Sequence, residues 1–482
     1  MSSLVQSSFS MPMEEVVPRA ASVQGLTRSS ILTARRRVRA APQTGVSYGS
    51  AGANGGSQQI QFVIADQGGL LDPASVALVY NVRTTGTGVE SVDDGHPFTR
   101  MQISLNGQML EDNAQAAKAT NAEVRLASTQ GWYRTSGSFC GFELLNNELN
   151  TTTVAATVAG IQGYCGAWCD VSGNMAAIAG RTTAAATVAN PLAGEQRSLP
   201  LGLISGVGRM KQYLPLSVLG ELNLTLYTGS KAEVMFQQGA STDADFSLGG
   251  VYIEYDIVVG HPEYMNLIAR VANDPNEQGL VMPFESTIMT SSGTIAASTG
   301  ALVENSIVVS RATNHLVRTF LLQQPTASLS STAFPAQSCF SHMQTNKVQW
   351  RVGSMYYPQI PAEGDASIWN MTALAYGSAA LNEATSVINR VAWAQTTAVP
   401  PASASAGASG FEGPYKFNFS DSFIPAYGFQ NVKGDAEPLA VDGISLSGAS
   451  GSQLVCVVTN GPALLTTPTL GLVALRFIQA QA

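Results

Sequence analysis

Charged residues are scarce: Asp, Glu, Lys and Arg make up 12% of the 482-residue chain, against roughly 25% in an average soluble domain. Charge alone therefore does not keep this surface in solution. Two explanations fit a chain that is 45% hydrophobic: large areas covered by neighbouring subunits, or a β-rich protein with neutral Ser and Thr faces. Cysteine is also sparse. Five residues, Cys140, Cys165, Cys169, Cys339 and Cys456, are an odd number spread over a long chain, which excludes a disulfide framework. Cys165 and Cys169 have a loose zinc-ligand spacing, but no second close pair completes a site. The four histidines, His96, His261, His315 and His342, lie far from them, so no metal and no cofactor are expected. No run of eighteen apolar residues occurs, which excludes an ordinary membrane-spanning helix. The first ten residues lack a basic start followed by an apolar stretch, so no secretory signal is expected.

What charge there is falls unevenly. Residues 1–56 hold six arginines (Arg19, Arg28, Arg35, Arg36, Arg37, Arg39) against Glu14 and Glu15, a net +4, which leaves −12 for the rest of the −8 total. With no clear period and a closing cluster of glycines, this segment reads as an extended basic arm. Such an asymmetry marks a tail that touches an anionic partner.

The most ordered signal occurs twice. Met101, Ile103 and Leu105 alternate with polar residues before Asn106-Gly107, a strong hairpin signal because both central residues of the turn need positive φ. A helix follows through Ala116, Ala119, Val124 and Ala127, with Asp112 as its expected cap. Val348, Trp350 and Val352 repeat the strand before Gly353-Ser354. Asp365 to Ala380 repeats the helix, with Ile368, Trp369, Leu374 and Tyr376 as its apolar contacts. An internal duplication follows from this shared rhythm.

Around these units the chain is a series of short alternating strands: Ile60–Ile64, Val76–Val82 after a break at Gly68–Pro73, Leu222–Leu226, Val234–Phe236 and Val251–Val259. Strands restart at Met282–Ile288 and continue through Ile307–Val309, Leu316–Leu322, Phe417–Phe419, Leu454–Val458 and Leu470–Ile478. Residues 128–194 and 399–416, rich in Ala, Thr, Ser and Gly, read as long loops. Many short strands without strand–helix–strand alternation indicate an all-β chain of antiparallel sandwiches. The expected organisation is an arm over 1–56, a first sandwich over 57–262, a linker over 263–281 carrying a brief helix, and a second sandwich over 282–482.

Catalytic constellations are weak. Asp93-Asp94 and Asp243/Asp245 sit in turn-like contexts where Asp serves turn chemistry. Gly45-Val-Ser47-Tyr-Gly49 matches the nucleophile-elbow letters without the strand and helix that shape an elbow. The five tryptophans are dispersed, unlike a carbohydrate-binding face. No enzyme is expected. A cell-surface layer or phage structural β-sandwich is the main alternative, and a carbohydrate-binding or carbohydrate-cleaving sandwich a weaker one.

Two tandem sandwiches bring a family into view. The stretches Leu71–Leu78, Met101–Asp112, Tyr213–Leu216 with Leu222–Tyr227, Tyr252–Pro262 and Arg351–Gln359 resemble successive steps of the double jelly-roll major capsid proteins of tailless icosahedral DNA viruses (tectiviruses, adenoviruses, virophages and Polinton-like elements). The resemblance implies two eight-stranded antiparallel jelly rolls with short helices after the strand–turn units. It also implies self-assembly as a homotrimer that acts as a pseudo-hexameric tile of a virion shell around DNA. Neighbouring capsomers, penton proteins and minor capsid proteins are the implied partners. Under this resemblance Arg35, Arg36, Arg37 and Arg39 belong either to an interior-facing arm that meets genome or an internal membrane, or to an arm that staples to a neighbouring subunit.

Overall fold

A computed structural model describes residues 32–142, 195–273 and 282–376 apart from short breaks, together with 393, 423–429, 444–447, 453–460 and 469–481. The first unit is built from β1 (Leu32–Ala40), β2 (Gln59–Ile64), β3 (Leu70–Thr85), β4 (Phe98–Leu105), β5 (Gln108–Asn113), β6 (Glu195–Pro200), β7 (Leu222–Thr228) and β8 (Asp245–Gly260). Two antiparallel sheets result, in the orders β1-β8-β3-β6 and β2-β7-β4-β5. Ser47–Gly49 adds a short edge piece on β8.

The second unit comprises β9 (Met282–Ile295), β10 (Val303–Val309), β11 (Ala312–Pro325), β12 (Thr345–Val352), β13 (Met355–Glu363), β14 (Ala426–Gly428), β15 (Leu454–Asn460) and β16 (Thr469–Gln481). Its sheets run β9-β16-β11-β14 and β10-β15-β12-β13. Each strand of the second unit thus occupies the place of the strand numbered eight lower in the first. Both units interleave their sheets as a jelly roll does.

Alternation explains why these stretches pair. Ile60, Phe62 and Ile64 of β2 face inward with Leu222, Leu224 and Leu226 of β7. They meet Leu78, Tyr80 and Val82 of β3 and Ile253, Tyr255 and Ile257 of β8 across the sandwich. In the second roll Val348, Trp350 and Cys456 of one sheet and Leu321, Val473 and Leu475 of the other fill the equivalent core. The two hairpin turns use different chemistry for the same bend. Asn106 (φ 47°) and Gly107 (φ 80°) both take left-handed backbone, whereas only Gly353 (φ 59°) does so in the second copy. These are the patterns of the two commonest two-residue hairpin turns.

Three longer helices accompany the strands: α1 (Ala116–Ala127), α2 (Pro262–Asn273) and α3 (Gly364–Tyr376). Helices α1 and α3 follow β5 and β13, so the duplicated strand–turn unit ends in a helix both times. Helix α2 lies within the segment expected as a linker; residues 274–281 lie outside the described residues.

Several expectations are corrected. The arm over 1–56 is not free of regular structure, because Leu32–Ala40 is β1, hydrogen-bonded along its length to β8. Among the described residues, this strand belongs to a sheet of the first sandwich although it lies within the segment expected as the arm. The break expected at Gly68–Pro73 is confined to the bend at Gly68-Gly69; from Leu70 the chain is the continuous strand β3, with a register irregularity opposite Glu254–Asp256 that accommodates Pro73. Asp112 does not cap α1. It lies in β5 and accepts two bonds from Arg100, at 2.9 and 2.8 Å. Of the long loop expected over 128–194, Gln130–Cys140 is helical instead; residues 143–194, the loop over 399–416, the strand at Phe417–Phe419, and Cys165, Cys169, Asp93, Asp94 and Asp243 fall outside the described residues.

Candidate assembly surface

The arginines singled out in the sequence share one strand. On β1, Val38 and Ala40 pack against the first core, so Arg35, Arg37 and Arg39 point to the outer face of the sheet. There they meet carboxylates of β8 and β3. Arg35 donates to Asp256 at 2.8 Å and to Asp72 at 2.7 Å. Arg37 donates to Asp256 at 3.0 Å, and Arg39 to Glu254 at 2.7 Å while stacking 4.0 Å over the Tyr252 ring. Arg36, on the opposite face, donates to the Gln67 carbonyl. Burial works against the Asp256 carboxylate, yet the bonds from Arg37 and Arg35 hold it below its ordinary value; for Asp72 burial prevails and raises it. The arginine side chains remain 49–64% exposed, so this ladder is a surface feature with its charge already balanced.

The corresponding surface of the second roll is covered. Helix α1 closes the flank of the first roll and lies across the β9 edge of the second, where Ala119, Ala122 and Leu126 join the second core. Every residue from Ala116 to Leu126 is buried, including Lys118, Asn121, Glu123 and Arg125. Glu123 anchors the joint. It accepts from Arg209 at 2.7 Å and from the Thr287 hydroxyl at 2.5 Å, and it lies 3.7 Å from Arg476. Burial alone would raise this carboxyl, but the Arg209 and Arg476 charges bring it down to about 2.

Arg476 also pairs with Glu285, and Arg318 lies opposite it in register with its guanidinium 4.8 Å over Tyr376 of α3. Burial and the adjacent Arg476 charge lower Arg318, while burial pushes the Tyr376 phenol upward. The row Thr287–Arg476–Arg318–Gly428 thus crosses the outer face of the sheet from β9 to β14.

A second buried carboxylate stands beside this joint. Glu111 of β5 accepts from the Ser205 hydroxyl and from the backbone N–H groups of Gly206 (3.0 Å) and Val207 (3.4 Å). Burial nevertheless raises its carboxyl. At Gly206 the backbones of the rolls come so close that a Cβ there would stand 1.7 Å from the Glu285 carbonyl oxygen. Asn121 of α1 donates to the Gln337 carbonyl at 2.9 Å, a further bond between the rolls. Met282 and Phe284 of β9 complete the first core, so each roll supplies side chains to the other.

Sequence reasoning missed this joint. Glu123, Arg209, Glu285 and Arg476 are 86 to 353 residues from their charged partners, and no local pattern marks them. The signal available was α1 itself, whose polar residues fall on every side although it stands in a strongly apolar setting. The nucleophile-elbow letters at Gly45–Gly49 form no elbow, since Ser47–Gly49 is a strand on β8. Among the described residues no group of three His, Cys, Asp or Glu side chains could hold a metal, and no helix is long and apolar enough to cross a membrane.

No protein-family model matches the chain, and no curated protein matches its sequence. Solved structures do. The Faustovirus major capsid protein superposes with a TM-score of 0.54 at 10% identity, covering 97% of this chain and 96% of that one. A chain of the Sputnik virophage, from its 3.5 Å cryo-EM structure, superposes with a TM-score of 0.53 at 12% identity, covering 94% of this chain and 89% of that one. Across nearly its whole length, therefore, the chain has the double jelly-roll fold found in the Faustovirus major capsid protein.

Proposed function

We propose that this chain is the major capsid protein of a tailless icosahedral DNA virus, assembling as trimers that present six similar sandwiches and tile the virion shell. The observation that carries the reading is the repetition of the order of the eight main strands, βn by βn+8, within one chain. Three copies then offer six near-equivalent flanks, so a threefold object packs as a hexagonal tile. The buried joint through Glu123 supports this role because it fixes the two rolls against each other, as a rigid tile requires. Low charge suits broad neutral contacts with neighbouring capsomers, and the role is structural rather than catalytic. Penton proteins, minor capsid proteins, the DNA genome and an internal membrane are the remaining partners of this reading.

For Arg35, Arg37 and Arg39, neutralisation by Asp72, Glu254 and Asp256 favours stapling to a neighbouring subunit over contact with an anionic partner. An interior-facing role is left to residues 1–31, which include Arg19 and Arg28. Deleting 1–31, which spares β1, tests this: capsomers that form but fail to close into shells support an assembly arm, and unchanged shells refute it.

Light scattering and negative-stain images of the purified chain test the main reading. Particles of three times the chain mass with hexagonal outlines are expected. A stable monomer at micromolar concentration overturns the proposal, and sheets or fibres would favour a surface-layer protein.

A further inference from the structure

The joint inside the chain is a template for a joint that a single chain leaves open. Within the chain, a helix following the hairpin of one roll (α1) covers the first strand of the next roll (β9). The strand correspondence puts β1 in the place of β9 and α3 in the place of α1. Neither counterpart is covered by another described element of the single chain.

The two helices show the difference directly. Helix α1 is buried on all sides through Leu126, and the residues it lends to the second core are Ala119, Ala122 and Leu126. Helix α3 buries Ile368, Met371, Thr372 and Ala373 against its own roll, but Ser367, Asn370 and Leu374 are exposed, Leu374 by 67%. Both triplets have the spacing i, i+3, i+7, which lines one face of a helix. The adjoining strands differ less: Met109 of β5 is exposed like Tyr356 of β13, and β13 adds Met355 and Ile360.

We propose that the Ser367–Asn370–Leu374 stripe of α3 seats on the β1 edge of a second copy of this chain, repeating between copies the contact that α1 makes within one. The proposal rests on the capsid reading and names the surfaces through which its copies join. A second copy is the occupant because both halves of the contact occur once on every chain, and their counterparts already fit each other as α1 on β9. The chemistry suits the two surfaces. Ser367 and Asn370 bring hydrogen-bonding groups to the guanidinium donors of Arg35, Arg37 and Arg39, and Leu374 meets the apolar arginine stems. Because the two surfaces differ, the contact is head-to-tail and generates a ring where the rotation closes.

The test compares wild type with the double variant Asn370→Arg, Leu374→Arg by light scattering, with circular dichroism as the check on folding. Loss of the oligomer with wild-type dichroism supports the proposal. A variant that assembles like wild type overturns it while leaving the capsid reading intact, and a wild type that stays monomeric overturns both. Should the variant not fold, amide hydrogen exchange of the wild type decides. Slower exchange of residues 364–376 and 32–40 at assembling concentration than at dissociating dilution supports the contact, and identical exchange in both segments refutes it.

Discussion

Helices α1 and α3 descend from the same position in a repeated unit, yet one is locked between two cores and the other has an open face. Their sequences reflect this. Helix α1 carries Lys118, Glu123 and Arg125 at buried positions, where charge is tolerated only because partners surround it. Helix α3 carries Asp365 near its start as its only charged residue and shows a small, neutral stripe outward. The repeated strand order gives two equivalent flanks, one of which is held within the chain by a charge network. A buried ion pair contributes little net stability but penalises every misaligned arrangement of its partners. The joint around Glu123 is thus better described as fixing the relative placement of the rolls than as strengthening either.

The contrast can be broken most severely at Glu123 itself. Glu123→Gln removes the carboxylate between Arg209 and Arg476, and urea unfolding should show a loss of about 3–5 kcal/mol; a loss well below that would mean that the joint does not depend on the charge. Next comes Gly206→Ala, whose Cβ has no room beside the Glu285 carbonyl. Forcing the rolls apart there should cost about 1–3 kcal/mol, measured in the same way.

Acid titration sharpens the picture further by setting two buried carboxylates against each other. Glu123 has its folded value depressed from 4.5 to about 2, so its stabilisation is present above the unfolded value and is lost as pH falls from about 4.5 towards about 2. Glu111 is raised, so its contribution is greatest at low pH and declines as pH rises through the unfolded value towards the folded one. Glu123→Gln should therefore remove part of the acid-side loss of stability, and Glu111→Gln part of the decline above it. Denaturant midpoints measured from pH 2 to 8 would separate them. The smallest effect is expected for Arg37→Ala on the open β1 surface, where solvent and salt screen the ion pair. Its melting midpoint should match wild type at 0.5 M salt.

Much of the fold was legible because each core-facing strand needs only local alternation to declare itself. Asn106-Gly107 and Gly353-Ser354 marked both hairpins, and the residues around them marked the repeat. Strand β1 escaped notice for a physical reason. In Leu32–Ala40, Val38 and Ala40 reach the core, while the arginines that fill the rest look like a solvated run. What makes it a strand is the hydrogen-bonding edge of β8 and the carboxylates Glu254 and Asp256, more than 200 residues away. Asp112 was misread as a cap because its partner Arg100 lies across the hairpin, a pairing that becomes visible only once the register is known. The joint around Glu123 was illegible for the same reason on a larger scale.

One consequence concerns anyone who would cut or extend this chain. The stretch between α2 and β9 looks like a natural seam, but Met282 and Phe284 just beyond it complete the first core, while Ala119, Ala122 and Leu126 far before it serve the second. Severing the molecule there would leave two unfinished halves. The tip of the first hairpin, with open space around Gly107, is the more forgiving place to graft a foreign peptide, provided that Gly107 itself is kept, since its φ of 80° strains any other residue.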